Sequence, residues 1–86
     1  MHEMSMAMAV CDAAMRHLPS NALSRLRVVA VEVGDDAGVD PGSLEFCLDV
    51  LLKSPPFGAA APEIQRCSGD VLRVAYLEVE DASQEN

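Results

Sequence analysis

The chain has 86 residues, half of them apolar, with 14 acidic and 6 basic side chains and a net charge of −8. That length makes one small domain, able to bury about 60–65 % of the surface its unfolded form exposes. The acidic balance excludes nucleic-acid binding, which requires a basic face. No apolar run approaches the roughly 18 residues of a membrane span, and the start lacks the basic-then-apolar order of a secretion signal. A cytoplasmic protein is expected. Only Phe46, Phe57 and Tyr76 are aromatic, so Val, Leu, Ala and Met must fill the core. Cys11, Cys47 and Cys67 are odd in number and widely spaced, which argues against a disulfide framework and against a zinc ribbon.

Met4, Met8, Cys11, Met15 and Leu18 recur at spacings of four, three, four and three. This predicts one stripe of a helix, widened by Ala7, Val10 and Ala14. Its methionines are expected in the core rather than in a thioether metal site. Asp12 and Arg16, four apart, form a supporting pair on another face, and His17 in the last turn complements the helix dipole. Pro19 ends the helix, with Pro19-Ser20-Asn21 read as loop. Residues 25–33 read as a strand. Val29, Val31 and Val33 make its apolar face; Val28, Ala30 and Glu32 make the partly polar, more exposed one.

Gly34 and Gly38 bracket the acidic turn Asp35-Asp36. Asp40 before Pro41 is a strong helix opening, a carboxylate cap followed by proline at the first helical position. Leu44, Cys47, Leu48 and Leu51 give the buried stripe, with Phe46 and Val50 beside it, and Ser54-Pro55-Pro56 stops the helix. A short strand is expected over 63–67, a turn at Ser68-Gly69-Asp70, and a third strand over 71–80. In that strand the alternation Leu72, Val74, Tyr76 shifts to Leu77, Val79, the signature of a bulge. The order helix–strand–helix–strand–strand predicts an α+β fold, two helices packed on one face of a three-stranded mixed sheet.

The chemistry concentrates at the start. The Met1 amine, a backbone amide and the His2 imidazole can close fused chelate rings around one ion, and the Glu3 amide can complete a nearly planar nitrogen set. Such tetragonal sites suit nickel(II) or copper(II) rather than tetrahedral zinc, and copper binds at least as tightly by intrinsic order. Met1 should be retained, because His2 is too bulky for initiator removal. Glu3 and Asp40 are candidate oxygen donors or groups supporting the donors. Taken alone, Met-His-Glu is a weak signal, with an unengaged chain end as the alternative, and Asp40 has a complete explanation as a helix cap.

Several segments together resemble the HypA/HybF family of nickel metallochaperones. They are Met1-His2-Glu3-Met4-Ser5, Val31-Glu32-Val33-Gly34 leading to Gly38-Val39-Asp40, and Leu44-Glu45-Phe46. Gly69 followed by Leu72-Arg73-Val74 and Leu77-Glu78-Val79-Glu80 completes the set. The resemblance implies a nickel(II) domain over residues 1–80 with His2 as the main ligand, the Met1 amine assisting, and Glu3 or Asp40 contributing an acidic group. It leaves residues 81–86 as a polar, frayed tail.

It also implies a non-enzymatic role, partnered by a GTPase metallochaperone, in delivering nickel to the large subunit of a [NiFe]-hydrogenase and sometimes to urease. The alternative is an adaptor or regulatory module of hydrogenase assembly that carries no metal. A thiol enzyme using Cys67 is a third class. Members of the family carry a zinc-binding insertion with two Cys-x-x-Cys pairs before the last strand. Here Cys67-Ser68-Gly69-Asp70 joins the strands directly, so no zinc site is expected and recognition of the hydrogenase precursor is put in question. Asp36-Ala37 also replaces the family's more usual Leu-Ser, a change expected to loosen that turn.

Overall fold

Residues 3–81 are described by the computed structural model; the expected ligands Met1 and His2 and the tail residues 82–86 lie outside the described residues. The elements are α1 (Glu3–His17), a 3-10 helix (Ser20–Arg25), β1 (Leu26–Gly34), α2 (Pro41–Leu52), β2 (Ala61–Cys67) and β3 (Leu72–Val79). The sheet order is β2-β1-β3, with β1 parallel to β2 and antiparallel to β3, a mixed sheet as expected. The parallel pair requires a crossover, and α2 supplies it.

Alternation puts Val29, Val31 and Val33 on one face of β1, and all three are fully buried together with Leu26. Against them pack Leu44, Leu48 and Leu52 of α2, also fully buried, and Ala7, Val10, Cys11 and Ala14 of α1. Each large side chain removed from water contributes about 1.5–3 kcal/mol, so the leucines and valines carry most of the stabilisation.

The methionine stripe of α1 is not in that core. Met4, Met8 and Met15 are 41, 58 and 38 % exposed, while Met6 is buried beside the small residues. The buried face is centred on Ala7, Val10 and Ala14 because small side chains let α1 come close to its neighbours; the longer methionines are displaced to the flank.

Three further differences have local causes. The Pro-Ser-Asn loop winds into the 3-10 helix, where the Ala22 amide donates to the Pro19 carbonyl at 2.9 Å. Strand β2 begins two residues early, at Ala61, because β1 offers partners as far back as Val28. Ala30, on the face expected to be exposed, is fully buried. Its cross-strand neighbours are Glu63 and Tyr76, and the Tyr76 hydroxyl donates to Glu63 Oε1 at 2.8 Å, closing a bridge over it.

The bulge read from β3 is present. Ala30 faces Tyr76 and Val31 faces Val74, which leaves Ala75 as the extra residue. It turns Val74, Leu77 and Val79 together toward the core. Where β2 passes to β3, the turn lies across the end of β1. The amides of Gly34, Asp35 and Asp36 donate to the carbonyls of Val71, Cys67 and Gly69 at 2.7, 2.8 and 2.9 Å. A Cβ on Gly34 would sit 2.0 Å from the Gly69 oxygen, so only glycine fits under the crossing. Gly69 itself has φ +93°, the left-handed region that glycine enters freely.

Candidate functional site

The head of α1 and the cap of α2 meet. Asp40 has extended backbone, its Oδ1 accepts from the Gly42 amide at 3.2 Å, and its Oδ2 accepts from the Ser43 hydroxyl at 2.8 Å. Its own amide donates to Glu3 Oε2 at 3.1 Å. Two acidic residues 37 apart in sequence are thereby held side by side, Glu3 in the first turn of α1 and Asp40 at the start of α2. Both positions favour negative charge, because each lies where unpaired helical amides point outward. The Asp40 carboxylate retains lone pairs beyond the two hydrogen bonds it accepts, and Glu3 has a further interaction besides its bond to the Asp40 amide.

The sequence reading paired Asp40 with the correct cap role but missed Ser43 as its second partner. A hydroxyl three residues after a cap was the available signal.

Among the described residues no three His, Cys, Asp or Glu side chains gather as a metal site requires. The Glu3–Asp40 pair is what the structure brings together from the expected donor set, and Met1 and His2 adjoin it in sequence, outside the described residues. His17 is at the other end of α1, about 20 Å along the helix axis from Glu3 at 1.5 Å per residue. Its Nδ1 is 3.0 Å from the Ala13 carbonyl, a contact local to the helix end. His17 therefore serves its helix rather than the acidic pair.

The three cysteines are free thiols. Burial pushes the Cys11 thiol above its ordinary value, because the thiolate would lose its hydration among apolar neighbours. Cys67 ends β2 opposite Gly34, and its carbonyl holds the Asp35 amide. It is a strand residue at the junction. Along the outer flank of α1 an apolar groove of about 450 Å³ runs beside Met8, Cys11, Met15, Leu51 and Phe57.

These features define a small α+β domain in which the described candidate donors, Glu3 and Asp40, lie at one end, on the heads of two helices. The chain matches, over residues 1–79, the family model described as hydrogenase/urease nickel incorporation, metallochaperone, hypA. It is 36 % identical over 69 residues to the hydrogenase maturation factor HypA of Azoarcus sp. (strain BH72), covering 80 % of this chain and 60 % of that protein. To the factor of the same name from Chlorobaculum parvum it is 34 % identical, covering 78 % of this chain and 59 % of the relative. To that of Streptomyces avermitilis it is 34 % identical over 82 residues, or 94 % of this chain and 51 % of the relative. No solved structure matches the chain. The chain belongs to the HypA family. It spans between about half and 60 % of the length of these curated relatives.

Proposed function

We propose that the chain is a nickel metallochaperone that takes nickel(II) at its amino terminus and assists its insertion into a [NiFe]-hydrogenase. The His2 imidazole, the Met1 amine and neighbouring backbone amides are the nitrogen donors, and Glu3 and Asp40 hold the acidic side of the site. The observation that carries this reading is the 3.1 Å hydrogen bond from the Asp40 amide to Glu3. It fixes two carboxylates together, one on the residue that follows Met1 and His2 in sequence, so an ion taken by those two residues meets negative charge already in position. Family membership supports nickel as the cargo. A GTPase metallochaperone as partner, the hydrogenase large subunit as client and a cytoplasmic location belong to the same proposal. So does the absence of a zinc site.

Nickel calorimetry on untagged protein tests it, beside His2→Ala and an amino-terminally acetylated form. One ion per chain is expected for the parent, with affinity reduced at least tenfold in both altered forms. Binding unchanged by either alteration would overturn the assignment. The amine can donate only where Met1 is the mature start, which intact-mass measurement of protein from its own cells checks. The adaptor reading gains support from the use of both Asp40 carboxylate oxygens in capping α2. It predicts that His2→Ala captures the same partners and leaves hydrogenase activity intact.

A further inference from the structure

β3 is an edge strand, paired on one side by β1 and open on the other. Helix α1 lies along it, and two adjoining hollows of about 340 and 190 Å³ occupy the seam between them. They share Ala13 and Val74, so the seam is one groove running from Met6 and Leu72 to His17 and Leu77. Open edges of this kind offer unpaired amides and carbonyls to another strand.

The side chains of β3 restrict what that strand can be. With Ala75 set aside as the extra residue of the bulge, Leu72, Val74, Leu77 and Val79 alternate with Arg73, Tyr76 and Glu78. This pattern reads the same in both directions about Ala75-Tyr76. In an antiparallel pair of two identical strands centred there, Leu72 faces Val79 of the second copy, Val74 faces Leu77, and Arg73 faces Glu78. These rows match apolar to apolar or cation to anion, and Ala75 faces Tyr76 at the centre. Without the extra residue, Leu77 and Val79 would have the opposite parity to Leu72 and Val74, and this register would set apolar positions against polar ones.

The charges are available for it. Glu78 has no ion-pair partner among the described residues. Arg73 donates its Nε to Glu32 at 2.6 Å and keeps its remaining guanidinium donors, the side chain being 71 % exposed.

From this complementarity we infer that β3 is a self-recognition strand, which pairs antiparallel with β3 of a second copy to make one six-stranded sheet. The core-facing residues of each incoming strand cover the groove under the other copy's α1. The pairing is isologous and closes at two chains. A net charge of −8 on each copy opposes it, so association is expected in the micromolar range rather than tighter.

Charge reversal tests the register. Glu78→Arg sets arginines opposite each other across both rows, and Arg73→Glu sets glutamates opposite each other. Light scattering on the eluting protein at roughly 100 μM, a concentration that populates a complex of micromolar Kd, should give a dimer for the parent and a monomer for each variant alone. A mixture of the two variants restores both rows and should return a heterodimer of opposite-charge partners. Circular dichroism verifies that each variant is folded. A parent that remains monomeric at that concentration overturns the inference. So does a dimer that Glu78→Arg leaves intact, or a mixture of folded variants that stays monomeric.

Discussion

The two helices bury their faces by opposite means. Helix α2 inserts three leucines, Leu44, Leu48 and Leu52, each fully buried, and its first turn is fastened by Asp40. Helix α1 buries chiefly small residues, with Ala7 and Ala14 at 0 and 1 % exposure, and leaves Met4, Met8 and Met15 on the outside. Helix α2 holds its neighbours by volume and α1 by close approach. A helix held by approach can carry exposed apolar side chains along its flank without weakening the core. In this chain that helix also carries Glu3 of the candidate site, while α2 carries Asp40.

This contrast can be broken most severely in α2. Leu48→Ala opens a cavity between α2 and β1 and is expected to cost about 2–5 kcal/mol, read as a fall in the midpoint of urea unfolding. In α1 the damaging change is enlargement rather than truncation. Ala7→Leu, at a fully buried position that borders neither the seam hollows nor the outer groove, should cost about 1–3 kcal/mol in the same measurement. A cost for Ala7→Leu near zero would show that α1 can lift from its neighbours.

Asp40→Ala removes the cap and should cost about 1 kcal/mol, with the loss localised to the first turn of α2 by amide exchange. Met8→Ala should fall within about 0.5 kcal/mol, since more than half of the side chain is already in water. A loss as large as that of Leu48→Ala would mean that Met8 is covered in solution.

The smallest expected effect is spectroscopic and concerns the other face of the sheet. The hydrogen bond to Glu63, then slight burial and the nearby Glu63 and Glu78 charges, hold the Tyr76 phenol above its ordinary value. Hydrogen bonds from Gln65 and Tyr76 hold the Glu63 carboxyl below its own. For Glu63 the sign follows directly: its contribution is present above the unfolded carboxyl pKa and is lost as pH falls through the lowered folded value. For Tyr76 the contribution is present below the unfolded phenol pKa and is lost as pH rises through the raised one. The chain has one tyrosine and no tryptophan, so phenolate absorbance reports this group alone. Its titration should begin later than that of an unperturbed tyrosine, and Glu63→Gln should move it back.

Much of the architecture was legible because its causes are local. The Asp40-Pro41 opening, the valine alternation of β1 and the phase shift in β3 each depend on neighbours within a few residues, and each appears in the structure. The methionine stripe misled because two adjacent stripes of α1 share Cys11, and spacing cannot decide which one faces the core. The packing of α1 against α2 and β3 decided it, and that is a tertiary property. The burial of Ala30 was equally hidden, since its cover comes from Glu63 and Tyr76, which are remote in sequence. For the site, the Asp40 cap was readable, but the bond joining it to Glu3 spans 37 positions and no local pattern encodes it.

The crossing above Gly34 has a further consequence for access. Three bonded amides clamp that turn flat against the sheet, and only the short segment 37–39 separates its last clamped residue, Asp36, from Asp40. The doorway to the acidic pair is therefore framed by rigid backbone on the strand side, with no slack loop there to fold over it. A visiting macromolecule coming from that direction meets a fixed threshold.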